Sequence, residues 1–575
     1  MSNLIKPVDL WKTTRCALGV ALLCALCVPV ASADDEADKL RKSAEALAKE
    51  AAMHAWPADI PTGPELEKAG AVIGKVHVVI GDIFDPSIPG ESGWVYRTAN
   101  HLHINTRTKI VRNQLLFKEG QPYRHRVVQE TERILRNNDY LYDAAVRPVA
   151  WDGKTVDLEV RTRDTWTLNP GLNYSRQGGS NSGSLQLEEK NLLGNGQQLS
   201  FGWGKDVDRE EYTFDFFDPH FLATWTRLGL SYSDASDGQT ASFRLDRPFY
   251  SLDTHHAAGL FLYDSQRNDP RYAAGERVGE YQHDQQFYET YGGRSAGWNN
   301  GWVTRWSTGV TYQRDRFAPD PTIALTGPLP EDREFLYPWV GIDFVQDAFE
   351  ERVNQDQIQR TEDVLLGVRA GARFGYAPEA FGSSTDALLF NGYVQDGRDV
   401  AAGQSLFLSA TTSGRVENQG LRDAVLSAEA RYYAKTSAKT KFFATVNGTV
   451  SEQLDLDTQL LLGGDTGLRG YPLRYQAGTS LALLTLEERY YTDWYPFRLF
   501  HVAGAVFFDM GRTWGTDPAT GSTSLGLLKD IGLGLRLGSS RSAFGNVIHV
   551  DLAFPLDGGS DINSVQFVVE TQSHF

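Results

Sequence analysis

Three short patterns in this chain have residue types that catalysis or metal binding would need, and none has the spacing. Asp465-Thr466-Gly467 matches the triplet of aspartic proteases, but that chemistry needs two facing carboxylates and there is a single copy. His101-Leu102-His103 puts two imidazoles at strand spacing, with no third ligand evident, so a surface pair is expected. Gly532-Leu533-Gly534 lies in an alternating apolar stretch, where glycine suits a crowded sheet wall. No Gly-x-Ser-x-Gly elbow, His-Glu-x-x-His or P-loop occurs. The expectation is a protein that is not an enzyme, with no catalytic, cofactor-binding or metal residues. The sharpest feature is Gly463-Gly464-Asp465-Thr466-Gly467-Leu468-Arg469-Gly470-Tyr471-Pro472. It is followed by Leu486-Glu487-Glu488-Arg489-Tyr490, then Phe507-Phe508-Asp509-Met510-Gly511-Arg512-Thr513-Trp514, and a terminal Phe575.

The elements that hold these residues must suit an acidic, aromatic, glycine-rich chain. Net charge is -17, aromatic residues make up 11%, and there are 55 Gly against 3 Met. An acidic chain does not suit nucleic acid, whose binding depends on Lys and Arg neutralising phosphates. After the first thirty-odd residues no apolar run is long enough for a membrane helix. Transmembrane strands alternate, however, and hide their hydrophobicity from an averaging window. At its start the chain reads as an export signal, residues 1–33. Lys6, Lys12 and Arg15 precede the apolar stretch Ala17 to Val30, and Ala31-Ser32-Ala33 gives a small-x-small cleavage site. Cys16, Cys24 and Cys27, the only cysteines, all fall inside that signal. Disulfides and thiolate chemistry are thereby removed from the rest of the chain, which fits an oxidising envelope.

Residues 34–73 read as a helical and linker segment, rich in Ala, Glu and Lys to about Ala55, then punctuated by Pro57, Pro61, Gly63 and Pro64. From 74 to 164 a small α/β unit follows. Lys75 to Ile80 alternates as a strand, and Thr108–Phe117 and Arg124–Asn137 have helical spacing. Tyr140–Ala150 and Thr155–Arg163 form a hairpin across Trp151-Asp152-Gly153-Lys154. This βααββ order, with Phe117, Gly120 and Tyr123 between the helices and Asn-Asp-Tyr-Leu-Tyr entering the hairpin, resembles a POTRA domain. The long stretch Phe84 to Asn105 between the first strand and first helix departs from that pattern.

From 165 to 575 almost everything alternates with period two. Trp302, Thr304, Trp306, Thr308, Val310 and Tyr312 share one face. Ile531, Leu533, Leu535 and Leu537 oppose Gly532, Gly534, Arg536 and Gly538, and Leu228, Leu230 and Tyr232 oppose Arg227, Gly229 and Ser231. A lipid-facing apolar row opposite a small or polar row is the pattern of a membrane barrel with a wet lumen. A soluble sandwich would also alternate, with the apolar row as its core. Against it stand the number of strands in one block and the Trp and Tyr near strand ends. An open edge in lipid is not tolerated, so one closed barrel is expected. At roughly 25 residues per strand with its connection, it would have about sixteen strands. The fold class is therefore mainly β, a transmembrane antiparallel barrel behind a small periplasmic domain.

Taken in order, the motifs around Arg469, Glu487 and Asp509 with the terminal Phe575 resemble the BamA/TamA superfamily of outer-membrane assembly and translocation proteins. In that family a long loop after the eleventh strand carries an Arg-Gly tip that folds into the lumen. The resemblance implies that Arg469 is the lumenal arginine, that Leu468, Gly470 and Tyr471 complete the tip, and that Asp509 is its acidic partner, with Glu487 or Glu488 next. A guanidinium in a narrow lumen gains from a fixed carboxylate, and arginine offers a rigid bidentate fork. Glu188 to Leu199, with Asn191-Leu192-Leu193-Gly194-Asn195-Gly196 at its centre, resembles the first periplasmic turn of these barrels. Val565, Phe567, Val569 and Phe575 resemble the C-terminal signal read by the barrel-assembly machinery, with Thr571 and Ser573 less apolar than the pattern prefers. The family implies outer-membrane lipid, unfolded outer-membrane or secreted clients, and that machinery as partners. A cell outer-membrane protein that assembles, inserts or translocates such clients is the expectation. The alternatives are a dedicated two-partner-type secretion channel, with residues 34–55 as a plug, or a surface antigen or passive pore.

Overall fold

The computed structural model describes residues 53–572, apart from 89–90, 359, 540, 544–546 and 560–561. The export signal, most of the 34–55 segment and Phe575 lie outside the described residues.

The N-terminal module has the order α1 (Gly63–Lys68), β1 (Val72–Gly81), α2 (Trp94–Leu102), α3 (Thr108–Arg112), α4 (His125–Arg136), β2 (Leu141–Trp151) and β3 (Thr155–Asp164). The sheet order is β1-β3-β2, with β3 parallel to β1 and antiparallel to β2. β3 is central because its alternate residues Val156, Leu158 and Val160 are buried between the flanking strands and the helices. At the β2–β3 turn the Asp152 carboxylate accepts the N–H groups of Lys154 (2.8 Å) and Thr155 (2.6 Å), and Gly153 takes φ +91°. That is the Asp-Gly turn read from the sequence. Thr62 and Glu65 cap α1, with Pro64 in its first turn, and Leu66 is fully buried in the module's core. Part of the supposed linker is therefore core, because one apolar residue on a capped turn has a sheet to cover. Across the 84–105 departure runs a helix, α2, which the sequence reading leaves undefined.

The rest of the chain is one closed antiparallel barrel of 20 strands, not the about sixteen expected. The difference lies in the connections. Residues 178–179, 236–237, 274–275, 300–301, 402–403 and 418–419 each join two strands with only two residues, so the spacing per strand is nearer twenty residues than 25. The barrel sheet alternates as a membrane barrel must. Trp302, Trp306 and Val310 point out and are exposed, as do Ile531, Leu533 and Leu535, while Val303, Arg305 and Thr311 point in and are buried. In a soluble sandwich the apolar row would be the buried one, so this observation removes that reading.

The chain enters the barrel from the module, through Thr165 and Trp166, so connections alternate between a near rim, beside the module, and a far rim. At the far rim, strands His256–Ala273, Glu276–Asn299 and Trp302–Pro319 run to as many as 24 residues. A bilayer crossing takes about 9–11, so these strands project well beyond the membrane. At the near rim the turn Asn191–Gln197 docks on the module. Gly194 (φ +75°) and Gly196 (φ +71°) are there, and a Cβ on either would press on the Asn105 carbonyl or the Tyr140 ring. The Asn191 amide donates to Thr106 Oγ1 (2.9 Å), and its carbonyl accepts the Gly196 N–H (2.7 Å).

Candidate functional site

Arg469 lies on the loop between Thr440–Glu452 and Ser480–Tyr491, the fifteenth and sixteenth barrel strands. The family pattern would put it after the eleventh. Five strands follow the loop, so the additional strands lie upstream of it. The loop turns into the lumen. A two-strand ladder, Leu460–Leu462 against Gln476–Gly478, forms its neck, and Leu468 and Tyr471 are wholly buried with Leu462, Tyr475, Leu483 and Leu528.

At the tip, the Arg469 guanidinium meets three carboxylates. Nε and one terminal nitrogen bind Asp509 bidentately at 2.7 and 2.9 Å, and the other nitrogen reaches Glu487 at 2.9 Å and Asp551 at 3.2 Å. Its plane lies 3.4 Å above the Phe507 ring. Strand parity selects these partners. Glu487, Asp509 and Asp551 all occupy inward positions, while Glu488 points out and is exposed, where it accepts a hydrogen bond from Thr436. Arg489 and Arg536, also inward and fully buried, balance Glu487 and Asp551. Gly532 and Gly534 make the space. A side chain on Gly532 would collide with Phe507, and one on Gly534 with Asp551 and Arg536. The Gly470 N–H donates to Asp530 (3.1 Å), and a Cβ there would strike the Asp530 side chain. The Tyr471 hydroxyl donates to the Lys529 carbonyl (2.7 Å), with the Asp557 carbonyl 3.0 Å away.

Sequence reading named Arg469, Asp509 and Glu487, and the structure brings these three together. It gave no role to Asp551, Arg536 or Phe507, although Phe507 stands in the motif with Asp509 and Arg536 in the small or polar row of its strand. It also missed that the loop reaches across the barrel. Gly178, in the turn between the first two strands, packs on the backbone of Leu473 and Gly464 so closely that neither side has room for a Cβ. The other motifs do less. His103 bonds Asp164 at 2.9 Å while His101 is exposed, so the pair does not converge. Of the C-terminal residues, Val565 and Phe567 are exposed but Val569 is buried, opposite Arg176.

A second element enters the lumen from the near rim. The connection after the tenth strand carries a hairpin, Phe349–Val353 paired with Thr361–Leu365. Its tip crosses the opening to the opposite inner wall. Ile358 packs among Tyr491, Ala503, Ala505 and Val547, and the Tyr433 hydroxyl bonds Asp356 at 2.5 Å. Lys441 donates to the Asn354 carbonyl. From below, α4 holds its stem: Arg136 binds Asp363 at 2.8 and 2.6 Å and Glu351 at 2.8 Å, and Arg133 stacks 3.9 Å over Phe349. Burial pushes the Glu362 carboxyl up to about 7, although the N–H groups of Gln355 and Asp356 favour its charged form. Nothing in the sequence flagged this hairpin, since its residues are ordinary for a polar turn.

Where the first strand (Leu168–Gln177) meets the last (Gln566–Gln572), the described residues share one register pair, Val569 with Arg176. Every other junction has at least seven.

Comparison with known proteins places this geometry. The Omp85 superfamily domain matches residues 191–572. The outer membrane protein assembly factor BamA of Neorickettsia risticii (strain Illinois) is 25% identical over 169 residues, 29% of this chain and 21% of that protein, so the match spans about a fifth of that relative's length. Among solved structures, CdiB from Acinetobacter baumannii aligns over 88% of this chain and 73% of its own, with 12% identity and a TM-score of 0.45. BamA from Haemophilus ducreyi lacking POTRA domains 1-3 aligns over 87% and 85%, with 12% identity and a TM-score of 0.37. The superfamily domain covers well over half of the sequence, from the first near-rim turn to the last strand, and the chain belongs to the Omp85 superfamily.

Proposed function

We propose that this protein assembles or inserts outer-membrane or surface polypeptides, with the near rim facing the periplasm and the module acting there as a POTRA-like client-binding domain. One observation carries the reading: the junction between first and last strands. Each of the two strands is laddered along its length to its other neighbour, but across the junction the described residues share a single register pair, so an incoming strand would meet little established pairing there. Sheet edges template added strands in this way. The Arg469 loop fits the same work, since it grips the wall of the last strands and also presses on the first turn at Gly178. It holds the barrel together where the sheet does not.

In the module, the β1 edge is covered at Ala71–Val76 by residues 119–123, and the middle of β2 by Glu132 and Arg136. Among the described residues His77–Ile80 lacks such cover, which makes it the edge on which a client strand would add. The alternative reading, a dedicated secretion channel, requires both the loop and the 349–365 hairpin to leave the lumen.

A disulfide between Cys replacements at Arg176 and Val569, in a chain without its native cysteines, tests the proposal. Quantitative mass spectrometry of the outer-membrane and secreted proteomes gives the readout. Loss of specific barrel or surface proteins under oxidising conditions, reversed by reductant, is expected. Undiminished levels with the bond formed would refute a seam mechanism.

A further inference from the structure

Helix α2 is built inside out for a soluble module. Tyr96, Ala99, Asn100 and His103 face the protein, where Asn100 clasps both the N–H and the carbonyl of Phe84 (3.0 and 2.7 Å) and His103 bonds Asp164. Trp94, Val95, Thr98 and Leu102, at helical spacing i, i+1, i+4 and i+8, form the outer face with Ile104 just beyond. Trp94 is 72% exposed and Leu102 66%. With Tyr96 on the Phe84 ring and Asn100 and His103 bonded inward, the helix leaves Trp94, Val95 and Leu102 in the open beside Arg97 and His101, an exposed side that is itself amphipathic and has no rationale in water alone.

The segment is fixed in place. Glu91, buried, is held between Arg163 of β3 (3.1 Å) and Arg541 of the near-rim turn after the eighteenth strand (2.7 Å). The Tyr96 hydroxyl donates to the Phe497 carbonyl, in the turn after the sixteenth strand (3.3 Å). At its other end, the Arg107 N–H donates to the Gly194 carbonyl, in the turn after the second strand (3.0 Å). These three turns flank the junction of last and first strands, so the segment runs beneath the seam. Each outer anchor adds exposed apolar surface of its own: Trp494 and Phe497 at one end, Leu193 at the other. The apolar face is thus continuous with the rim of the lipid-facing wall. The charges agree. Ser92–Arg112 has no Asp or Glu and carries Arg97, Arg107, Lys109 and Arg112, in a chain of net charge -17.

We propose that Trp94–Ile104 is an interfacial anchor, lying in the phospholipid leaflet at the near rim directly beneath the seam. Its apolar side chains enter the acyl boundary, and the cations beside them meet anionic headgroups. Interfacial helices bind by this pairing of apolar area with basic charge. The anchor would tie the module to the bilayer at the one place where the barrel wall is weakly closed. This proposal rests on the barrel spanning a bilayer and is independent of what the protein assembles.

Site-directed spin labelling tests it on the full chain, with Cys16, Cys24 and Cys27 replaced by serine. Nitroxides at Val95→Cys and Leu102→Cys are compared with one at Lys154→Cys, in the β2–β3 turn at the opposite end of the module. The protein is reconstituted in phosphatidylethanolamine–phosphatidylglycerol vesicles. At 95 and 102, collisions with oxygen should exceed those with a water-soluble nickel chelate, with the order reversed at 154. Nickel accessibility at 95 and 102 equal to that at 154 would overturn the proposal. Immobilised labels shielded from both reagents would overturn it too, because a protein surface would then cover the face. Both substituted positions are exposed, so neither variant threatens folding.

Discussion

Replacing Arg469 with alanine removes four hydrogen bonds to three carboxylates. Glu487 keeps Arg489 and Arg536, and Asp551 keeps Arg536. Asp509 is left with the Thr485 hydroxyl, at 2.8 Å, in place of its cation. Stranding a buried charge costs about 3–5 kcal/mol, and with two of the three carboxylates still paired the lower end applies. About 3 kcal/mol is roughly a hundredfold in the docked-to-released ratio of the loop. Hydrogen exchange of the 463–475 backbone in lipid nanodiscs reads that ratio, because Gly464, Leu468, Gly470 and Tyr471 donate within the docked loop or to Asp530. Protection should fall about a hundredfold there and stay unchanged in the barrel strands. Arg469→Lys should rescue little, since an ammonium cannot replace the bidentate fork. Adding Asp509→Asn to Arg469→Ala should recover part of the loss by removing the stranded charge. A fall of less than threefold, or no recovery in the double variant, would refute the reasoning, leaving the loop held by Leu468 and Tyr471 alone.

The near-rim hairpin gives two further predictions. Deleting 350–364 and bridging with glycines should raise single-channel conductance in planar bilayers several-fold. Arg136→Ala, which cuts the hairpin from α4, should give intermittent openings to that level; unchanged conductance in both would mean that the hairpin obstructs nothing. The same trace should depend on pH. The Glu362 carboxyl titrates near 7 when docked and at about 4.3 when the hairpin is free in water. A raised acid pKa in the docked state means that docking takes up a proton. The docked hairpin is therefore most stable below about 4.5 and weakens as pH rises to about 7. Openings should be more frequent at pH 7.5 than at pH 5, and Glu362→Gln should remove the difference.

What the sequence made legible was whatever a local rule controls. Period-two alternation identified the barrel because lipid requires it of every strand, and the Asp-Gly turn set the β2–β3 hairpin because one carboxylate caps it. The strand count was not legible. It depends on how short the connections are, and two-residue turns such as Gly178-Gly179 and Asn300-Gly301, each a hairpin signal by itself, are lost when one average length is assigned to every strand. Arg469 was legible through its Gly-rich context, but Asp551 and Arg536 were not. They join the site because the sixteenth to nineteenth strands pair in succession and curve as one wall around the loop, which brings the eighteenth and nineteenth beside it, and no spacing along the chain encodes that curvature. Helix α2 lay inside a stretch whose conformation the sequence left open, because its apolar residues face outward and so lack a partner pattern.

The loop, the hairpin and the seam are mechanically one system. The inner wall that Arg469 grips belongs to the sixteenth, seventeenth and nineteenth strands. The wall that Ile358 and Asp356 touch includes the sixteenth, seventeenth and nineteenth as well, nearer the module. Both inserted elements therefore brace the same C-terminal panel, one from each end of the lumen. The far-rim loop also touches the first hairpin, at Gly178. A load on the module transmitted through Arg136 would pull the hairpin from that panel without moving the loop. The panel's near-rim end would then still be tied to the start of the barrel by Trp166, whose N–H donates to the Arg541 carbonyl (2.7 Å) and whose carbonyl accepts the Ala543 N–H (2.9 Å), while the loop pins its far-rim end. Opening the near-rim half of the junction therefore takes release of the hairpin and of the Trp166 contact together, while releasing Arg469 alone frees the far-rim half.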